Sequence, residues 1–246
     1  MLKVALITGA SRGIGFDIMK ELFFNGYYVV VISRKKEDIL RGIDNYNDNV
    51  VLFEECLIPN ERIDVFSCNI TKEIEVIDTI KLVRKKFGRI DVLINNAGII
   101  PQKADIIDEL ESNFDLTFKT NFKGAWYFTR EVLPIMIKQG SGYIFNISSM
   151  SGKRVFKGRS SYSISKFAVN ALTEAILREN KEFGIKATAI CPGYVNTESL
   201  KEIIKQENLN PEHLIQKSDI SKTILYLLSL SPKAYVKEVC LERELW

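Results

Sequence analysis

With 246 residues, 46% of them hydrophobic and 26% charged, the chain has the composition of one large folded domain spanning 1–246, and fibrous and low-complexity classes are excluded. The net charge is only +3, with 34 basic residues interleaved among 31 acidic ones, so there is no basic stripe to follow a phosphate backbone and no nucleic-acid partner is expected. No apolar run reaches membrane-spanning length; the N-terminal one is too short for a signal peptide and reads as a buried first strand, so no membrane association is expected.

Taken in chain order, apolar β-rich runs alternate with longer stretches of helical period. A strand at 4–8 leads into a helix at 13–25, a strand at 28–33 into a helix at 35–43, and a strand at 63–67 into a helix at 72–87. Between them, 44–62 is rich in Asn and reads as a connection with room for one short strand. The second half continues with a strand at 92–95, a long helix at 112–139 kinked at Pro134, a strand at 142–148, a helix at 162–183, a strand at 187–191, a helix at 218–230 and a last strand at 236–242. A short helix at 198–206 begins a polar segment, 198–217, that reads as a substrate lid. This alternation predicts a doubly wound α/β fold, a seven-stranded parallel sheet with helices on both faces.

The first strand runs directly into Gly9, Ala10, Ser11, Arg12, Gly13, Ile14 and Gly15, where a helix begins. Glycines allow a tight turn and close backbone approach, and the free N–H groups of a helix N-terminus attract a pyrophosphate. Asn95, Asn96, Ala97 and Gly98 close the fourth strand at the same sheet edge, where open α/β folds bind ligands. The second strand ends in Ser33 and Arg34 rather than in an acid, which suits the 2′-phosphate of NADP(H), with Arg12 as a second cation.

Tyr162 and Lys166 lie four apart and share a helix face. A free tyrosine has a pKa of about 10, so the adjacent ammonium and a positively charged nicotinamide are expected to pull it toward neutrality and make it a proton donor to a carbonyl oxygen. Thirteen residues before Tyr162, Ser149 follows the fifth strand and is placed to hydrogen-bond that oxygen; Ser148 is its rival, and alternation allows only one of the two to face the substrate. Asn121, a poor helix former within 112–139, is expected to interrupt that helix and support proton flow to Lys166. Arg154, Lys157 and Arg159 point either to an anionic substrate or to ordinary exposed charge.

The four cysteines, Cys56, Cys68, Cys191 and Cys240, form no CxxC pair and read as free thiols in a reducing cytoplasm. The single histidine, His213, reads as a surface residue and excludes a His-rich metal site, so no metal is expected. The pairs Lys35-Lys36 and Lys85-Lys86 read as solvated helix surface.

Together these motifs resemble the short-chain dehydrogenase/reductase family along essentially the whole chain. The resemblance implies a Rossmann-like fold, a catalytic tetrad on Asn121, Ser149, Tyr162 and Lys166, and a homodimer or homotetramer packed through 112–139 and 162–183. It also implies cofactor contacts from Pro192, Gly193, Val195 and Thr197, with Val195 and Thr197 at the nicotinamide amide. Two departures stand out. Asn69, followed by Ile70, replaces the acid usual beside the adenine, whose amino group the Asn69 carbonyl can still accept from. The ending 234–242 lacks the glycine-rich pattern of 3-oxoacyl-carrier-protein reductases. The expected activity is hydride transfer between NADP(H) and a small carbonyl or secondary-alcohol substrate. Reduction of a 3-oxoacyl-carrier-protein and non-catalytic sensing of NADPH are the alternatives.

Overall fold

In a computed structural model, which describes residues 2–49, 60–206 and 208–243, seven strands form one sheet. They are β1 (Val4–Thr8), β2 (Tyr28–Ser33), β3 (Ile63–Ser67), β4 (Val92–Asn95), β5 (Gly142–Ile147), β6 (Ile185–Pro192) and β7 (Glu238–Leu241). All six pairings are parallel, in the order β3-β2-β1-β4-β5-β6-β7. Strand order reverses between β1 and β4, the place where sheets of this kind leave a crevice at their carboxyl ends.

The central strands are apolar on both faces because helices cover both. Ala5, Ile7, Val29 and Val31 pack on one face with Ile18, Met19 and Leu22 of α1 (Gly13–Phe24) and with Ile220 and Ile224 of α8 (Lys217–Ser229). Leu6, Val30, Ile32 and Leu93 point the other way. They meet Val76 and Ile80 of α3 (Glu73–Phe87), Phe128 and Val132 of α5 (Gly124–Gln139), and Ile176 of α6 (Ser160–Asn180).

Three sequence expectations change. The helix after β2, α2, runs over Lys36–Asn49, well past the expected end, although Asn45 and Asn47 are weak helix formers. Buried Ile39 and Ile43 and the ring of Tyr46, 6.2 Å from that of Phe16, carry it on, and tertiary packing outweighs local propensity. The strand proposed within 44–62 has no place before Asn49, and Asn60–Arg62 form a short 3₁₀ turn; 50–59 and Cys56 lie outside the described residues.

The long helix is interrupted at Lys119–Lys123, a π-helical turn between α4 (Glu111–Phe118) and α5, whereas α5 continues through Pro134. The segment after β6 folds into a 3₁₀ turn (Glu198–Leu200), α7 (Lys201–Gln206) and a second 3₁₀ turn (Pro211–His213) that leaves His213 exposed. It returns to the sheet edge where Ile215 donates to the Tyr194 carbonyl (3.1 Å) and accepts from the Asn196 N–H (2.8 Å). Among the described residues no helix is long and apolar enough to cross a membrane.

Candidate active site

The carboxyl ends of β1, β4, β5 and β6 open onto one cleft of about 640 Å³, which extends from Arg12 and Arg34 at one end to Ser149, Tyr162 and Lys166 at the other. Its floor is the glycine turn after β1. Gly9 has φ of +70°, and a Cβ there would sit 2.8 Å from the Cα of Ala97. At Gly15 a Cβ would come within 2.4 Å of both the Asn96 side chain and the Gly9 carbonyl. Each needs glycine because two loops meet there.

Asn96 ties those loops together, its Nδ2 donating to the carbonyls of Thr8 (3.0 Å) and Gly9 (2.8 Å). Thr8 Oγ1 accepts from the N–H groups of Asn96 and Ala97, both at 3.1 Å. The resulting cradle suits a dinucleotide pyrophosphate. Helix α1 has no side-chain N-cap and no acid in its first turn, so its leading N–H groups and dipole face the cleft beside Ser11, Gly13 and Ile14 and are available to an anion.

Asn95, expected to contact the cofactor, does not line the cleft. β4 alternates, so Asn95 shares the face of Leu93 and is buried under α5, its Nδ2 donating to Thr129 Oγ1 (3.1 Å) and Asn146 Oδ1 (2.8 Å). Asn146 continues to Thr173 of α6 (2.8 Å), so Asn95 belongs to the sheet-to-helix packing, and Asn96, Ala97 and Gly98 line the cleft. Alternation along β4 is the signal that separates the two asparagines.

Asn69 and Ile70 line the cleft, but the Asn69 side-chain oxygen is already used. It accepts from Thr71 N–H (3.1 Å) and Thr71 Oγ1 (2.8 Å) in a local turn, so the carbonyl expected to receive an adenine amino group has both lone pairs engaged. Ser33 is similarly tied, donating to the Lys35 carbonyl at 3.0 Å. Arg12 and Arg34 are exposed and have no ion-pair partner among the described residues, which leaves both guanidinium groups free for a phosphate. Asp38, Thr71, Leu116 and Thr120 also line the cleft and carry no motif in the sequence, while Ser199 and Leu200 reach it from the segment expected to form the lid.

At the other end, α6 brings Tyr162 and Lys166 onto the cleft, with the Lys166 Nζ 5.7 Å from the centre of the Tyr162 ring. The hydroxyl of Ser149 lies close enough to that of Tyr162 to lower its pKa. Both rival serines line the cleft, but Ser148 is buried and its hydroxyl donates to the main-chain carbonyl of Lys166 (3.2 Å). Ser149 also accepts from the Ser151 N–H (3.1 Å), which fixes its hydroxyl.

The electrostatics differ from the expectation. Burial raises the Tyr162 pKa above its ordinary value, opposed by the nearby Ser149 hydroxyl and by the charge of Arg159. Burial also lowers that of Lys166 to about 8, and its amine donates to the Ile147 carbonyl at 2.8 Å. The ammonium therefore lies against the sheet end and the ring, and Tyr162 holds its proton. The neighbouring Cys191 thiol is pushed up to about 12 by burial and stays a neutral packing group.

Asn121 sits in the π-helical turn, as its expected helix-breaking role requires. Its Oδ1 accepts from the Ile99 N–H (2.8 Å), while its Nδ2 donates to the Ile99 carbonyl (2.9 Å) and to Ser165 Oγ (3.2 Å). This clamps the loop after β4 to the helix bearing Tyr162 and Lys166. A Cβ on Gly98 would lie 3.3 Å from Asn121 Oδ1 and 3.7 Å from Lys166 Nζ, so the turn brings all three close together. Pro192, Gly193, Val195 and Thr197 form the opposite wall. Among the described residues no cluster of three or more His, Cys, Asp or Glu side chains is arranged for a metal ion.

Residues 3–208 match the family model for short chain dehydrogenases. An uncharacterized oxidoreductase of Staphylococcus aureus is 32% identical over 237 residues, 96% of this chain and 95% of that one. The uncharacterized oxidoreductase YxjF of Bacillus subtilis is 34% identical over 222 residues, 90% and 77% of the two chains. Among solved structures, ElxO with NADP bound superposes with a TM-score of 0.85 at 29% identity, covering 98% of both chains.

Proposed function

As the chain belongs to the short-chain dehydrogenase family, a family of oxidoreductases, we propose that it transfers a hydride between NADP(H) and a carbonyl or secondary-alcohol substrate, with reduction favoured near neutral pH. The observation that carries the reading is Tyr162, lining the cleft with Ser149 and Lys166 at the end opposite an uncapped helix N-terminus.

A reduced nicotinamide bound in this cleft supplies the hydride that the carbonyl carbon gains. Ser149 donates a hydrogen bond to the carbonyl oxygen and orients it. Tyr162 passes its phenolic proton to that oxygen as negative charge develops, which completes a secondary alcohol. Lys166 stabilises the phenolate left behind and, through its place beside Gly98, helps hold the cofactor ribose. Asn121 keeps the loop and helix of the site in register. At the far end Arg12 and Arg34 bind a 2′-phosphate, a preference supported by the NADP carried by ElxO.

The segment 198–217 acts as a lid, since Thr197, Ser199 and Leu200 face the cleft. The free thiols Cys68, Cys191 and Cys240 suit a reducing cytoplasm. Exposed Trp126, Ile164 and Phe167 on α5 and α6 suit burial in a homodimer or homotetramer.

The test is NADPH consumption followed by absorbance with a panel of ketones, aldehydes and one 3-oxoacyl thioester. Turnover of free ketones supports the reading, and turnover of the thioester alone favours the acyl-carrier alternative. NADPH binding with no turnover of any carbonyl compound contradicts the reading and leaves a sensor.

A further inference from the structure

We propose that Glu109 is a positioning residue for Tyr162, its carboxylate reaching from the loop after β4 to hold the first turn of the helix that carries the tyrosine. The inference rests on the reductase reading above and adds to its site a residue that does not line the cleft.

Tyr162 is the third residue of α6, within the turn whose leading N–H groups have no partner inside the helix. The helix does not cap that turn itself. Arg159 at its N-cap makes no side-chain cap bond, and the first turn contains no acid. Farther along, Lys166 is anchored on the Ile147 carbonyl, Ser165 accepts from Asn121 (3.2 Å), and Val169, Thr173 and Ile176 are buried. The start of the helix, where Tyr162 sits, is left to be fixed from outside.

The loop after β4 does this at three places. Arg159 donates to the Pro101 carbonyl, Ala104 bridges to Arg159 and donates to the Gly158 carbonyl (3.2 Å), and Ser160 Oγ donates to Glu109 Oε2 at 2.6 Å. The first two hold the residues that lead into the helix, and Glu109 acts on the helix itself. Burial pushes the Glu109 carboxyl up, but the contacts from Ser160 and Ser161 outweigh it and hold the group below the usual carboxylate range, so it is charged at neutral pH. A carboxylate in that place is favoured by the positive end of α6 and supplies the cap that Arg159 does not. Asn121 ties the start of the same loop at Ile99, so the loop is fixed at both ends to the helix of Tyr162 and Lys166.

The experiment uses the full chain and a ketone that the wild type reduces, in single turnovers with enzyme in excess over NADPH. Glu109→Ala is expected to slow hydride transfer about 10-fold with NADPH affinity within about twofold of wild type, because a displaced phenol meets the carbonyl oxygen poorly while the cradle at the other end is untouched. Glu109→Gln keeps an oxygen that accepts from Ser160 and is expected to stay within about threefold of wild type. A residue that only supports the fold would lower the number of NADPH sites per chain and leave the rate constant of the remaining enzyme as it is. That result overturns the proposal, and so does a Gln variant as slow as the Ala variant.

Hydrogen exchange in protein loaded with NADP⁺ separates this inference from the activity itself. The Ser163 N–H closes the first turn on the Arg159 carbonyl at 2.8 Å. In Glu109→Ala, peptides covering Ser163 and Ile164 are expected to exchange about 10-fold faster, with those over 169–176 unchanged. Faster exchange in a chain that reduces no carbonyl compound sinks the reductase reading and keeps the hold of Glu109 on the helix. Unchanged exchange at Ser163 and Ile164 sinks the proposal.

Discussion

At the Tyr162 end of the cleft Lys166 and Asn121 are buried and committed, Lys166 to the Ile147 carbonyl and Asn121 to both main-chain atoms of Ile99, and the partly buried Ser149 accepts from the Ser151 N–H. At the other end Arg12 and Arg34 stand exposed. Burial alters proton affinities and makes each side chain answer to the fold, whereas an exposed charge acts through solvent and is screened. Substitutions at the two ends should therefore differ in size, in their coupling to stability and in their response to salt.

The largest effect is expected from Lys166→Met, with turnover falling on the order of 10³-fold in steady-state NADPH oxidation. The same variant reads the burial directly. In the unfolded chain Lys166 keeps its proton to about pH 10.5, but in the fold only to about pH 8. Between these values the unfolded state binds more protons, so this residue makes the wild type more stable as pH rises through the window. Lys166→Met should remove that slope and, below pH 8, stabilise the fold by about 1–3 kcal/mol in urea titrations. A variant with unchanged slope would mean that Lys166 is solvated.

Asn121→Ala leaves the partly buried N–H and carbonyl of Ile99 without their side-chain partner and should cost about 1–3 kcal/mol of stability, along with turnover. Ser149→Ala should lower kcat about 10²-fold with little change in NADPH affinity, measured by fluorescence titration. At the exposed end, Arg34→Ala should weaken NADPH binding only about 10-fold, leave NADH unchanged, and lose part of that difference as salt is raised. Equal losses for both cofactors would remove Arg34 from 2′-phosphate recognition.

The same contrast explains what the sequence could reveal. Glycine spacing, the Tyr-x-x-x-Lys pair and the apolar runs are local signals, and they located the sheet, the cradle and the catalytic end. What they missed depends on side-chain direction and on distant packing. Asn95 and Asn96 are adjacent and chemically identical, yet alternation sends one under α5 and the other across the glycine turn. Asn69 has the right carbonyl in the right place, but its own Thr71 takes it.

The break at Lys119–Lys123 was signalled by Asn121, while Pro134, the stronger textual cue, sits within a continuous α5. The extension of α2 to Asn49 follows from packing against Phe16, which composition alone opposes. Lys166 was expected to act on the Tyr162 proton directly. Burial opposes that action by raising the Tyr162 pKa and lowering that of Lys166, whose amine donates to the Ile147 carbonyl.

The most direct test of the central claim is Tyr162→Phe in a single turnover. Enzyme in excess over NADPH is mixed with a ketone that the wild type reduces, and the nicotinamide absorbance is followed with time. The account predicts NADPH affinity within about twofold of wild type and hydride transfer slowed on the order of 10³-fold, since only the proton donor is gone. Transfer at the wild-type rate would contradict it and take Tyr162 out of the chemistry.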